Sequence, residues 1–377
     1  MPIEIKGTIV FFSLGQEITD EGSVMLAKRG ASIGLIWGVG LLIKDDGQVG
    51  ACCEILGVGG EERVVLTDLP LTATALADLA GSALEIAVRI AMAEHVGEGE
   101  ESPVRFAIIG MGKAGGRELN YISDVDVIFV AEPVDGADES EALELATRIA
   151  STAMHACSDA TAHGSLWPVD AALRPEGKQG PLVRTVASHR TYYERWAKTW
   201  EFQALLKARH LAGDATLGAE YLAAVQPLVW EAASREDFVD DVQAMRRRVE
   251  EHIPTAEAKR QLKLGPGGLR DVEFSVQLLQ LVHGLADDRI RVPTTLRVLE
   301  ALGETGYIAS ADAADLAEAY RFMRVIEHRL QIPRMQRTAL LPTQEAKLRT
   351  LARTVFALGD RSEKRLTAER SRHARRV

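Results

Sequence analysis

The sequence predicts an α+β chain, a small sheet-bearing unit followed by an all-helical one. Three observations predict it. The apolar run Phe106-Ala-Ile-Ile109 and the run from about Ser123 to Val130 are strand-like, and only a glycine-rich turn separates them. A third strand-like run, Leu166-Trp-Pro-Val-Asp170-Ala-Ala-Leu173, follows an alanine-rich helical stretch. From about Asp214 onward, apolar residues recur almost entirely at helical spacing. At 377 residues, 46% of them hydrophobic, the chain can hold two or three domains with real cores. The reading is an unassigned segment over 1–66, a sheet-bearing unit over 67–213 and a helical unit over 214–377.

Bulk properties exclude some functions. A net charge of −10 argues against general nucleic-acid binding. Three cysteines, of which Cys52 and Cys53 are adjacent, make no disulfide framework and no C-x-x-C metal spacing, which suits a reducing cytosol. The apolar stretch Gly30–Ile43 is glycine-interrupted and shorter than the roughly 20 residues that span a bilayer. It reads as a buried strand or hairpin, not as a membrane helix.

Taken in order, residues 1–66 are glycine-rich, with strand-like pieces at Thr8–Ser13, Ser32–Ile43 and Val49–Leu56 and a turn at Asp45-Asp46-Gly47. Thr72 to about Glu94 reads as an amphipathic helix with Leu76, Leu79, Ala83, Ile86 and Ile90 on its apolar stripe. Gly97 to Ser102 is a polar linker. Ser140 to about Cys157 is helical. Arg174-Pro-Glu-Gly-Lys178-Gln-Gly-Pro is a turn-rich loop. Ser188 to about Arg209 reads as one helix whose stripe Tyr192, Trp196, Trp200 and Gln203 belongs in a core, with Lys207 and Arg209 suiting its C-terminal dipole. Phe238–Glu250 is helical.

Further on, the glycine turn Gly265-Pro-Gly267-Gly268 runs into a helix beginning near Leu269, with Val272, Val276 and Leu279 on an apolar stripe and Arg270, Glu273 and Gln277 on a polar face. It reads as a structural junction that borders the site. Asp312 to about Gln331 carries Glu327 on an apolar stripe, which predicts an arginine partner for that carboxylate. Thr343–Arg361 is a further helix, and the basic tail after Asp360 looks like a helix cut short.

The chemistry is concentrated in Phe106–Val130. Gly110, Gly112, Gly115 and Gly116 form the turn, with Lys113 and Arg117 among them. Strand side chains two apart share a face, so Asp124 and Asp126 project together beside a loop of backbone N–H groups and cations. Two close carboxylates facing a phosphate-sized loop suit a hard divalent metal, Mg²⁺ on a nucleotide. The competing reading is a dinucleotide fold, because Gly110-Met-Gly112-Lys-Ala-Gly115 satisfies G-x-G-x-x-G. That fold needs a full helix before its next strand, and too few residues separate Gly115 from Ser123. Adding Asp170 gives three carboxylates, the minimal plan of a nucleotidyltransferase palm. The bland reading of Asp170 is a strand-end aspartate paired with Arg174.

Five blocks in order then resemble one family. GMGKAGGRELNYISDVDVIFV, VDAALRPEGKQGPLV, WEFQALLKARHLAGD, KLGPGGLRDVEFSVQLLQL and EHRLQ look like the bifunctional glutamine synthetase adenylyltransferase/adenylyl-removing enzymes, over roughly residues 70 to 365. The resemblance implies a polymerase-β-like nucleotidyltransferase domain at 67–213 and an α-helical bundle domain at 214–377. It implies Asp124, Asp126 and Asp170 as catalytic metal ligands for Mg²⁺, and a phosphate-binding loop with Gly115, Gly116, Lys113 and Arg117. At the position two after Asp170 it implies an arginine, where this chain has Ala172. KLGPGGLRDVEF with EHRLQ is more similar to the N-terminal, adenylyl-removing unit of a tandem enzyme, which implies a truncated single unit that releases AMP from a tyrosine by phosphorolysis to ADP. The implied partners are glutamine synthetase, ATP or ADP with phosphate, and a PII-type nitrogen signalling protein, in the cytoplasm, with neither nucleic acid nor membrane. The residues leave open adenylyl transfer from ATP, and a non-catalytic docking module.

Overall fold

A computed structural model describes residues 42–43, 49–51, 69–97, 100–160, 165–235, 238–251, 253–334, 336–356 and 362–377. The strand expected at Thr8–Ser13, the turn at Asp45-Asp46-Gly47 and most of the other two N-terminal strand pieces lie outside those residues. Within them, β1 (Leu42–Ile43) and β2 (Val49–Ala51) pair antiparallel.

The main sheet has five strands: β3 (Val104–Gly110), β4 (Val125–Pro133), β5 (Val169–Asp170), β6 (Val183–Arg184) and β7 (Arg209–Gly213). Their order is β5-β4-β3-β7, with β6 also on β4. β3 is antiparallel to both β4 and β7, whereas β5 and β6 run parallel to β4 along one edge. The expected third strand is shorter than Leu166–Leu173. Pro168 has no N–H to donate, its carbonyl accepts from Val125 N at 2.9 Å, and the chain turns again after Asp170.

The continuous apolar runs are explained by burial of both sheet faces. Phe106, Ile108, Val127 and Phe129 join one core with α1 (Leu69–His95) and α3 (Glu139–Ser158). Ala107, Ile109, Ile128 and Val130 join a second core with α4 (Val186–Arg195), α5 (Thr199–Leu205) and α6 (Ala215–Glu231). Each large apolar side chain buried this way contributes about 1.5–3 kcal/mol. Asp138 caps α3 by accepting from Glu141 N, and Glu139 and Glu141 in the first turn favour its positive end.

Two expected faces differ. α1 is longer and apolar enough to cross a membrane, but 61% of its most apolar window is buried in the fold, as a core helix requires. Its stripe is rotated from the expected one. Leu76 and Leu79 are buried, but so are Ala77, Ala80, Leu84, Ala87, Val88 and Ala91, whereas Ile86 and Ile90 are exposed. Small alanines let α1 lie close against α3 and the sheet, and size rather than hydropathy chose the face.

The helix expected over Ser188–Arg209 is instead two helices and a strand. Glu201 accepts from Lys198 N at 3.0 Å and starts α5 afresh. Trp196, expected in the core, is 70% exposed, and Tyr193, Ala197 and Phe202 fill the core instead. Lys207 and Arg209 therefore cap no helix.

The helical half comprises α7 (Phe238–Glu251), α8 (Thr255–Ala258), α9 (Leu269–His283), α10 (Thr295–Thr305), α11 (Ser310–Gln331), α12 (Glu345–Val355) and α13 (Glu363–Ala374). The basic tail thus forms α13, and residues 357–361 of the expected Thr343–Arg361 helix lie outside the described residues. α9 joins the halves. Phe274 and Leu281 pack into the second core, and Leu269, Val272 and Val276 into a third with α10 and α11. Leu262, Ile326, Leu351 and Leu366 form a fourth.

Candidate active site

β3 ends in a turn built as α2 (Gly112–Gly115), and the chain re-enters the sheet at Val125. No full helix separates β3 from β4, which removes the dinucleotide reading. The turn needs its glycines for close approach. A Cβ on Gly115 would lie 1.9 Å from the Lys207 carbonyl oxygen and 2.5 Å from that of Gly110. Gly112 has φ +50°, and a Cβ there would lie 2.7 Å from Asp126 Oδ2. The N–H groups of Gly115 and Gly116 are spent inside the turn, donating to the Met111 and Gly112 carbonyls at 2.9 and 3.0 Å.

The segment between the turn and β4 is held by the helical half. Glu118 is buried and accepts from Lys207 Nζ at 2.5 Å and from Thr295 N at 2.8 Å. Arg324, 1% exposed, donates to the Glu118 carbonyl at 2.7 Å. Ile122 N donates to Gln331 Oε1 at 3.1 Å. Glu327 has the expected arginine, Arg324 at 3.4 Å, and also Lys113 at 3.2 Å. Burial pushes the Glu327 carboxyl up, but Lys113, Arg324 and Lys263 outweigh it and hold it down at about 2.

This clamp delivers Asp124 and Asp126 into a cleft of about 490 Å³ between the sheet end and the helical half. Lys113 and Gly112 line the same cleft, and α9 contributes Arg270, Glu273 and Gln277, the polar face read from the sequence. Asp126 pairs in register with Asp170 across β4 and β5. Burial first, then Asp170 and Asp124, pushes the Asp126 carboxyl up to about 6. Asp124 forms an ion pair with Arg337, from the segment between α11 and α12. Asp170 accepts from Ala172 N at 2.8 Å and is not in the cleft wall. As placed, no three acidic, histidine or cysteine side chains among the described residues converge on a point where a metal ion would sit.

Other expected site residues lie elsewhere. Arg117 turns away to pair with Asp78 on α1 at 3.1 Å, and neither it nor Gly115 or Gly116 is in the cleft wall. Arg174 binds loop carbonyls, among them Ala171 O at 2.8 Å and Gly180 O at 3.1 Å, rather than pairing with Asp170. Conversely, Lys263, Gln331 and Arg337 line the cleft. Sequence reasoning gave them no role there, because only the tertiary packing of the glycine turn and of the segment after α11 brings them in.

Comparison with known proteins bears on this cleft. The family model described as glutamate-ammonia ligase adenylyltransferase matches residues 48–224, and that described as GlnD PII-uridylyltransferase matches residues 243–377. The bifunctional glutamine synthetase adenylyltransferase/adenylyl-removing enzyme of Streptomyces avermitilis is 57% identical over 306 residues, 81% of this chain and 30% of the relative. Its namesake from Streptomyces coelicolor is 58% identical over 304 residues, 80% of this chain and 30% of that relative. That of Mycobacterium avium is 50% identical over 349 residues, 92% and 32% respectively. The chain thus spans about a third of the length of these relatives.

Proposed function

The chain belongs to the glutamate-ammonia ligase adenylyltransferase family, and from that premise we propose that it is a nucleotidyltransferase acting on glutamine synthetase. In the favoured direction it removes AMP from an adenylylated tyrosine by phosphorolysis, releasing ADP. The alternative direction is adenylyl transfer from ATP to the same tyrosine. The observation that carries this reading is the pair Asp124 and Asp126, side by side in a cleft whose other walls supply cations. In fold terms it is a palm with a helical bundle beside it, and the bundle forms half of the cleft.

Mg²⁺ is the implied cofactor, and two hard carboxylates in the cleft, Asp124 and Asp126, fit it in kind, with Asp170 on the neighbouring strand but outside the cleft wall. Asp126 is pushed up to about 6 by burial and by its two neighbours, a crowding that a divalent cation relieves. Asp124 and Asp126, with Asp170 from the neighbouring strand, would hold it, with Asp124 giving up Arg337. When bound it would neutralise phosphoryl oxygens.

The chain's own residues set the rest. The Glu118 and Glu327 clamps fix the loop that aims the two aspartates. Lys113 is held by Glu327 at the cleft wall, where burial pushes its ammonium down to about 7 against the opposing pull of that carboxylate. A phosphate oxygen bonds to the phosphorus of the adenylyl group, the phosphorus–tyrosine oxygen bond breaks, and the tyrosine oxygen takes a proton. Positioning and charge neutralisation do most of the work in such transfers. The remaining partners in this proposal are ATP, ADP, phosphate and a PII-type signalling protein, in the cytoplasm.

The test is ADP release from adenylylated glutamine synthetase with phosphate and Mg²⁺, comparing the chain with an Asp124→Asn/Asp126→Asn variant. Release that vanishes in the variant supports the removing direction. Release from neither, with AMP incorporation from ATP, moves the assignment to the adding direction. Neither activity in folded protein leaves the docking module.

A further inference from the structure

Two cations of the cleft make no hydrogen bond in the clamps, although Lys263 acts on Glu327 and Glu273 through space. Lys263 lies in the turn before α9, half-buried in the wall that faces the aspartates. Among the described residues, no hydrogen bond or ion pair engages its ammonium. Arg337 is exposed and ion-pairs with Asp124, and its segment runs beside that of Lys263, with Gln261 bridging Leu340 and Leu262 N donating to the Ala339 carbonyl at 2.8 Å. The other cations are matched: Lys113 with Glu327 at 3.2 Å, Lys207 with Glu118 at 2.5 Å and Arg270 with Glu273 at 3.8 Å.

If a divalent cation takes Asp124 and Asp126, Arg337 loses its carboxylate. Lys263 and Arg337 then present to one cavity two positive charges that no carboxylate hydrogen-bonds, with Glu273 and Glu327 acting on Lys263 only through space. An ammonium beside a guanidinium fork matches a phosphate dianion in charge and in donor geometry.

We infer that Lys263 and Arg337 form the subsite for a phosphate dianion, and that Arg337 exchanges between Asp124 and that phosphate. The inference rests on the proposed function and adds to it where the attacking or terminal phosphate sits. Two sources share this chemistry, free inorganic phosphate and the last phosphate of a nucleotide. It also requires linkage. A divalent cation frees Arg337, so cation and phosphate each raise the other's affinity by the same factor.

The experiment is calorimetric titration of inorganic phosphate, and separately of ADP, into the full chain with and without Mg²⁺, for wild type, Lys263→Ala and Arg337→Ala. Mn²⁺ titration followed by electron paramagnetic resonance gives cation affinity without phosphate. Each substitution is expected to weaken phosphate binding about tenfold or more, the loss of one charge-assisted contact. Arg337→Ala is expected to bind Mn²⁺ more tightly, because a competing cation is gone. Lys263→Arg restores phosphate binding if charge is what matters. Weakened ADP binding with unchanged phosphate binding assigns the subsite to the nucleotide's terminal phosphate.

Phosphate and ADP affinities unchanged in both variants overturn the subsite, and Mn²⁺ affinity unchanged in Arg337→Ala overturns the exchange. The two readings fail separately. Binding that depends on Lys263 and Arg337 in a chain that releases no ADP keeps the subsite and sinks the reaction. ADP release indifferent to both substitutions does the reverse.

Discussion

Glu118 and Asp126 lie on one short loop and the strand it feeds, and the fold treats them in opposite ways. Glu118 is fully enclosed and saturated: Lys207, Thr295 and the nearby Arg324 answer its charge and its lone pairs. Glu327, on the helical side, is matched in the same way by Lys113 and Arg324. Asp126 meets two further carboxylates instead, and its proton affinity rises accordingly. One set of acids locks the two halves together, and the other is held in mutual repulsion at the cleft. At the cleft, Arg337 and Lys263 offset that repulsion only in part, and carboxylates crowded this way a few residues from acids that are fully paired make a candidate ligand site.

The contrast breaks first at Asp126. Asp126→Asn should lower the transfer rate by about 10⁴-fold, on the order of 5 kcal/mol of barrier, in ADP-release assays. The same change should raise the melting temperature of metal-free protein. Burial and its carboxylate neighbours push the native carboxyl up to about 6 from its ordinary 3.8, so the folded state binds the extra proton between those values and stability falls as pH rises through them. A neutral asparagine removes that penalty. A melting temperature that drops instead would show that Asp126 is structural.

Glu118→Gln tests the other arm. It strands the Lys207 charge in a buried site and should cost about 3–5 kcal/mol in denaturant unfolding. Glu327 gives a pH signature. Its native carboxyl is held at about 2 against an ordinary 4.5, so its stabilisation is present above 4.5 and lost as pH falls from there toward 2. Glu327→Gln should flatten the acid limb of a stability–pH curve by on the order of 3 kcal/mol. Arg117→Ala is the smallest. Its ion pair with Asp78 is about half exposed on both sides, and the loss should stay within about 0.5 kcal/mol by thermal melting.

Much of this was legible in order along the chain. β3, the glycine turn and β4 could be read because strands buried on both faces give uninterrupted apolar runs, and the Asp124–Asp126 spacing gave their shared direction. The Glu327 partner followed from the cost of an unpaired buried acid. What failed has physical reasons. The α1 face was chosen by alanine size, and the Trp196 region broke where a side-chain cap at Glu201 outweighed helical periodicity. Lys207 and Arg209 looked like dipole-matching helix ends, but they are tertiary residues: Arg209 donates to the Ala114 and Gly115 carbonyls at 3.0 and 3.2 Å. Asp170 was legible as a neighbour of Asp126, whereas its turn inward to Ala172 N was not. Arg337 carries no local pattern at all, since nothing in its own stretch shows that it will reach Asp124.

The clamp has a consequence for how the protein is made. Lys113 and Glu327 are 214 residues apart in sequence, and Arg337 and Asp124 are 213. Contacts of such separation form late, because a long loop must close before they reward it. During synthesis, which proceeds at about 5–20 residues per second, the sheet-bearing half emerges whole well before α11 exists. A nascent chain therefore carries its two aspartates on an unanchored loop, and the cleft comes into being only when the last third of the chain arrives.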